Sequence, residues 1–193
     1  MEIALFGGSF DPPHVGHLLA AQYVLATEPV DELWLLPVFR HPLTKKARAP
    51  FEHRVDLCGL LAALLGPRAL VSRLEATLPG EGRTVDLLEH LHAQRPADRF
   101  ALVLGSDLAA ERAQWKRFAR IAELARVIEL SRGGFAAAGA GGGDEAPPGE
   151  GLHVMLPEVS SSQVRALLAA GGDASKLVPR AVLAAIEAAG TYR

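Results

Sequence analysis

The chain has one cysteine, Cys58, in 193 residues. No internal disulfide can form, so the fold has to rest on buried apolar surface. An excess of charge of one sign is also missing: 20 Lys and Arg against 22 Asp and Glu leave a formal charge of −2. That balance argues against a surface devoted to nucleic acid or membrane, and it confines any anion site to a local cluster. No apolar run is long enough to span a bilayer, and the first residues open on a strand-like run instead of a basic and then apolar targeting segment. A cytoplasmic protein with no nucleic-acid or membrane partner is the expectation, with a homo-oligomer left open. Two nucleotide-binding fingerprints are absent as well: neither GxGxxG nor GxxxxGK followed by Ser or Thr occurs.

What is present suits one globular domain over residues 1–193, because hydrophobic residues make up 49% of the chain and charged ones 22%. Short apolar runs at residues 3–6, 33–36, 69–72, 100–104, 126–130 and 153–156 read as buried strands. Helical spacing fills residues 17–26, 51–65, 84–94, 118–124, 161–170 and 179–189 between and after them. Strands alternating with helices imply crossover units, hence an α/β doubly wound parallel sheet with a small C-terminal helical part from about residue 160. Ligands of such sheets sit beyond the carboxyl ends of the strands, here Gly7, Pro37, Gly105 and Pro157. The glycine-rich stretch at 133–151 has no period and reads as a surface loop inserted before the last strand.

The first strand runs into GGSFDPPHVGH, residues 7–17. Glycines at Gly7 and Gly8 would permit φ > 0 and let the main chain approach a ligand without a Cβ in the way. Pro12 and Pro13 delay the next helix until near His14–Gly16. Residues three apart share a helical face, so His14 and His17 would project together near a helix N-terminus that already favours an anion, with Gly16 leaving room between them. Two other readings of the stretch stand beside this phosphate site. It could be an ordinary turn with surface histidines, or a metal pair, although helical zinc pairs place histidines four apart around a glutamate and no third ligand is near. A second segment, VSSSQVR at 159–165, offers three hydroxyls at a helix start, with Ser160 or Ser161 as N-cap and Arg165 one turn in. Alone it would be a capped helix with a solvated arginine. Together the two segments supply what a polyphosphate needs: hydroxyl and backbone donors and a forked guanidinium.

These residues carry a resemblance. GGSFDPPHVGH and VSSSQVR resemble the HxGH and ISSTxxR signatures of the nucleotidyltransferase superfamily, and are most similar to bacterial nicotinate mononucleotide adenylyltransferases. GRTVDLLEHL at 82–91 resembles that family's SYTxxTL segment, and LVLGSDLAAERAQWKRF at 102–118 resembles its strand, GxD turn and tryptophan segment. The ending LVPRAVLAAIEAAGTY resembles its last helix and LY terminus. The resemblance implies a Rossmann-like nucleotidyltransferase fold and transfer of AMP from ATP to nicotinate mononucleotide, with Mg²⁺ accompanying the ATP. It implies catalytic roles for His14, His17 and Arg165. ATP contacts would come from Gly7, Gly8, Ser9, Phe10, Gly16, Gly105, Asp107, Ser160, Ser161 and Ser162, and acceptor contacts from Thr84, Trp115 and Lys45. Lys45, Lys46, Arg48 and Arg54 form a basic stretch of which one member contacts phosphate in that family, most of them being expected to face water.

Three departures surround the acceptor side. Arg83 stands where the family has an aromatic, HPLTKK at 41–46 where it tends to PPHK, and Ser162 where it has threonine. Nicotinamide mononucleotide therefore stays open as an acceptor. A pantetheine phosphate adenylyltransferase is disfavoured by HVGH, since those enzymes resemble TxGH there, and a non-catalytic nucleotide sensor on the same fold remains the other alternative. Of the remaining conspicuous residues, Cys58 and Trp34 fall in apolar patterns and should pack. His90 and His92, two apart, cannot share a helical face.

Overall fold

A computed structural model describes residues 1–40, 47–78, 82–105, 115, 117–130 and 157–193. Five strands form one sheet: β1 (Glu2–Gly8), β2 (Glu32–Pro37), β3 (Ala69–Val71), β4 (Arg99–Gly105) and β5 (Arg126–Leu130). Every pairing is parallel and the order is β3-β2-β1-β4-β5. The apolar runs are continuous because both faces are covered: Ile3, Ala4, Leu5, Leu33 and Leu35 are fully buried in the inner strands β1 and β2. The doubly wound α/β expectation holds. The sixth expected strand, at 153–156, and the glycine-rich stretch at 133–151 lie outside the described residues.

Helices α1 (Val15–Thr27) and α2 (Phe51–Leu65) lie on one face of the sheet. Ala20, Ala21, Val24, Cys58 and Leu61 pack there on Ala4, Phe6, Leu33 and Leu35, so Cys58 is a core residue as expected. On the other face α4 (Thr84–Gln94) and α5 (Phe118–Leu124) set Val85, Leu88, Leu91 and Ile121 against Ile3, Leu5, Leu102 and Leu104, with Trp34 packed at the margin. A four-residue helix, α3 (Leu74–Thr77), falls within a stretch whose sequence has no helical period. It joins β3 to α4 and rests Leu74 on the second cluster.

The C-terminal helices α6 (Ser161–Ala169) and α7 (Arg180–Ala189) form a third cluster in which Val164, Val182 and Ile186 meet Leu57 of α2. Spacing of four puts Val182 and Ile186 on one stripe, and α7 stops at Gly190, whose φ of 64° suits glycine. These helices bring the second sequence motif back to the first.

Candidate active site

Strand order reverses between β1 and β4, so their carboxyl ends diverge into separate crossovers and leave a crevice. Gly7, Gly8 and Gly105 end the two strands there. Gly7 and Gly8 do not use the positive φ that glycine permits. Both are still paired in β1, opposite Leu36 and Pro37, and so stay extended. The chain reverses at Phe10 instead, with φ of 45°. A bulky residue there costs about 1–3 kcal/mol. Burial of its ring, edge-on to Phe6 at 5.7 Å and 4.8 Å from the His17 ring, holds it in place. At Gly7 an added Cβ would meet nothing within 4 Å among the described residues, so the fold itself does not demand glycine there.

His14 is the N-cap of α1 and His17 its third residue. Their rings stack with centroids 3.8 Å apart and both are largely buried, at 2% and 8% exposure, so the surface-histidine reading fails. The His14 backbone N–H donates to His17 Nδ1 at 3.2 Å. An accepting Nδ1 leaves the ring proton on Nε2, which makes His17 a hydrogen-bond donor at its far nitrogen. Gly16 is required sterically, since a Cβ there would lie 3.1 Å from Cε1 and Nδ1 of His14 and 3.7 Å from the Pro157 carbonyl. Among the described residues no group of three or more His, Cys, Asp or Glu is placed to hold a metal ion.

Helix α6 docks on the turn before α1. Ser161 Oγ donates to the Pro12 carbonyl at 2.9 Å, and Arg165 donates to the Asp11 carbonyl at 2.6 Å and to Ser162 Oγ at 3.0 Å. Ser160 is the N-cap, its hydroxyl accepting from the Gln163 N–H while Gln163 Oε1 accepts from the Ser160 N–H. The solvated-arginine reading of this segment is therefore replaced by an arginine bound to the neighbouring turn. Its side chain is 27% exposed, enough to present the guanidinium to a ligand. An open cavity of about 530 Å³ lies beside it, lined by Arg48, Ser162, Arg165, Tyr192 and Arg193.

Asp11, Arg54 and Tyr192 are assigned no site role by the sequence, yet they hold this end together. The Asp11 carboxylate accepts from the backbone N–H groups of Arg48 and Ala49 at 2.7 and 3.0 Å and from the Tyr192 hydroxyl at 2.8 Å. Burial and the adjacent Asp11 push the Tyr192 phenol up. Arg54, one of four basic residues of which most are expected to face water, is 2% exposed and donates to the carbonyls of Ser9, Val38 and Ala49. Burial lowers its pKa, opposed by Asp11. The signal for it lies in α2: Phe51, Arg54, Leu57, Cys58 and Leu61 share one helical stripe, so this arginine occupies a core position.

The acceptor candidates fall on the opposite sheet face from the histidines. Thr84 is the first residue of α4. Trp115 packs on the second core cluster, its ring edge-on to Phe118 at 6.4 Å. The two sets can meet only across the crevice at the strand ends. Lys45, Lys46 and Asp107 lie outside the described residues.

Comparison with known proteins agrees with this geometry. The sequence model of the cytidylyltransferase-like family matches residues 5–167. A probable nicotinate-nucleotide adenylyltransferase of Anaeromyxobacter dehalogenans is 49% identical, covering 100% of this chain and 97% of that one. The Thermus thermophilus protein of the same name is 38% identical with full coverage of both. Among solved structures, Plasmodium falciparum nicotinic acid mononucleotide adenylyltransferase complexed with NaAD superposes with a TM-score of 0.78 at 20% identity, covering 99% and 97% of the two chains. That last likeness is one of fold.

Proposed function

From a chain that belongs to the cytidylyltransferase-like family, with its histidine pair buried at the sheet's switch point, we propose a nicotinate-nucleotide adenylyltransferase. It transfers the AMP moiety of ATP to nicotinate mononucleotide, giving deamido-NAD and pyrophosphate in NAD biosynthesis. The observation that carries this reading is full-length likeness to relatives of that name, joined to intact His14, His17 and Arg165. No helix among the described residues is long and apolar enough to cross a membrane, and we place the reaction in the cytoplasm.

A phosphate oxygen of the acceptor attacks the α-phosphorus of ATP in line. The bond from that phosphorus to the bridging oxygen breaks, and pyrophosphate leaves with the electron pair. No covalent enzyme intermediate is needed, so the protein contributes positioning and charge stabilisation. His17, with its proton on Nε2, donates to the α-phosphate as charge grows there, and His14 holds the neighbouring oxygens. Gly7 and Gly8 give the triphosphate room at the end of β1. Ser161, Ser162 and Arg165, at the start of α6, hold the β- and γ-phosphates. Thr84 and Trp115 face the pyridine ring from the other side of the crevice. A magnesium ion brought in with ATP would screen the polyphosphate charge. The donor set fits an ion held by phosphate and water oxygens, because Asp11, the buried carboxylate at this end, is already committed to two amides and a phenol.

The test is pyrophosphate release from MgATP by the purified protein, offered nicotinate mononucleotide, nicotinamide mononucleotide or phosphopantetheine in separate reactions, with product masses. Turnover with a pyridine mononucleotide is expected. Turnover with phosphopantetheine alone would transfer the protein to coenzyme A synthesis, and ATP binding without turnover would make it a sensor.

A further inference from the structure

Glu75 is the second residue of α3 and takes no part in the chemistry above. Its carboxyl lies between two chain segments at the carboxyl edge of the sheet. One is the stretch after β2, where it accepts the Phe39 backbone N–H. The other is the turn leading into α4: a Cβ built on Gly82 would lie 3.3 Å from Glu75 Oε2 and 2.6 Å from the Arg40 carbonyl. The same Oε2 is buried and has no hydrogen-bond partner among the described residues. Gly82, at φ 67°, is two residues before Thr84, the proposed acceptor contact, and Leu74 beside Glu75 packs on the same apolar cluster as Trp115. A buried carboxyl oxygen with no donor, beside the turn that leads to the proposed acceptor contact, is a costly arrangement unless the group is neutral.

We propose that Glu75 is a specificity-determining residue of the acceptor side, acting through the Gly82–Thr84 turn to set the preference between an acidic and an amide pyridine mononucleotide. The inference rests on the adenylyltransferase reading. The neutral carboxyl tolerates a substrate carboxylate nearby. The ionised one adds a negative charge to the same low-dielectric region, and that charge opposes nicotinate mononucleotide but not its amide. Burial pushes the Glu75 pKa up to about 7, with the Phe39 N–H opposing, so the change of state falls within the working range. The charged groups on the elements around it are Arg40, Arg83 and Asp86, together with Arg73, which is ion-paired to Glu52 of α2. None of them contributes to the shift, which has burial and the amide as its causes.

The readout is the ratio of kcat/KM for nicotinate mononucleotide to kcat/KM for nicotinamide mononucleotide from pH 5.5 to 8.5. Ionisations common to both reactions, including the ribose phosphate and both histidines, cancel in the ratio. A purely structural glutamate would not move it. The expected result is a several-fold fall in the ratio with a midpoint near 7 in the native enzyme, and a flat ratio in Glu75→Gln. A flat native ratio, or a slope that survives in Glu75→Gln, overturns the inference while leaving the activity intact; failure to turn over either acceptor overturns the parent reading instead. Should Glu75→Gln not fold, ¹³C NMR of the Glu75 carboxyl in the native enzyme takes its place. A titration midpoint coinciding with that of the ratio supports the inference, and a midpoint below 5 overturns it.

Discussion

At His17 a main-chain contact, the His14 N–H on Nδ1, places the ring proton on Nε2. His17→Ala removes one transition-state donor and should lower kcat by about 10²–10³ with the melting temperature nearly unchanged, as measured by pyrophosphate release and calorimetry. Gly16→Ala sets two effects against each other. Alanine favours the helix by about 1 kcal/mol, whereas the new methyl would lie 3.1 Å from the stacked His14 ring and push it out of position. Stability should therefore change little while kcat falls more than tenfold. Glu75 gives a pH-dependent case. Its raised pKa means that the native state holds a proton which the unfolded chain has released, so native stability falls as pH rises from about 4.5 through 7. Urea melts should show Glu75→Gln equal to the native protein at pH 4 and more stable at pH 8, by at most about 3 kcal/mol.

At the level of elements, the decisive joint is between α6 and the turn before α1. Arg165 contributes both to the joint, through the Asp11 carbonyl, and to the ligand side, through its exposed face. Arg165→Ala should raise KM for ATP at least tenfold with a smaller effect on kcat. Arg165→Lys should restore little, because an ammonium cannot fork between the Asp11 carbonyl, Ser162 and a phosphate. Steady-state kinetics with ATP varied, alongside a thermal melt, separates loss of binding from loss of docking. The other elements follow from pattern: α1 and α2 are helical where the sequence spacing predicts them, and the boundaries moved by one or two residues at most. α3 was illegible, since one turn carries no period and forms only because Leu74 finds the second cluster.

Over the whole molecule, the core is divided into three buried clusters, and Arg54 ties segments near the strand ends. Its guanidinium serves carbonyls of the turn after β1, the stretch after β2 and Ala49, two residues before α2. Arg54→Met keeps the bulk but strands three acceptors, which should cost about 3–6 kcal/mol in urea unfolding and disorder the phosphate side with it. Strand–helix alternation determined the parallel doubly wound sheet, because both-face burial demands continuous apolar runs whatever the ligand. The three-residue spacing of His14 and His17 at a helix start determined that the two rings lie together, because that spacing fixes a shared face locally. Only the tertiary structure decided that the reversal falls on Phe10 instead of the glycines, that Arg54 is buried and that Asp11 is the hub for Arg48, Ala49 and Tyr192. These depend on contacts between segments as much as 181 residues apart, and no local pattern encodes which distant partner a polar group will meet.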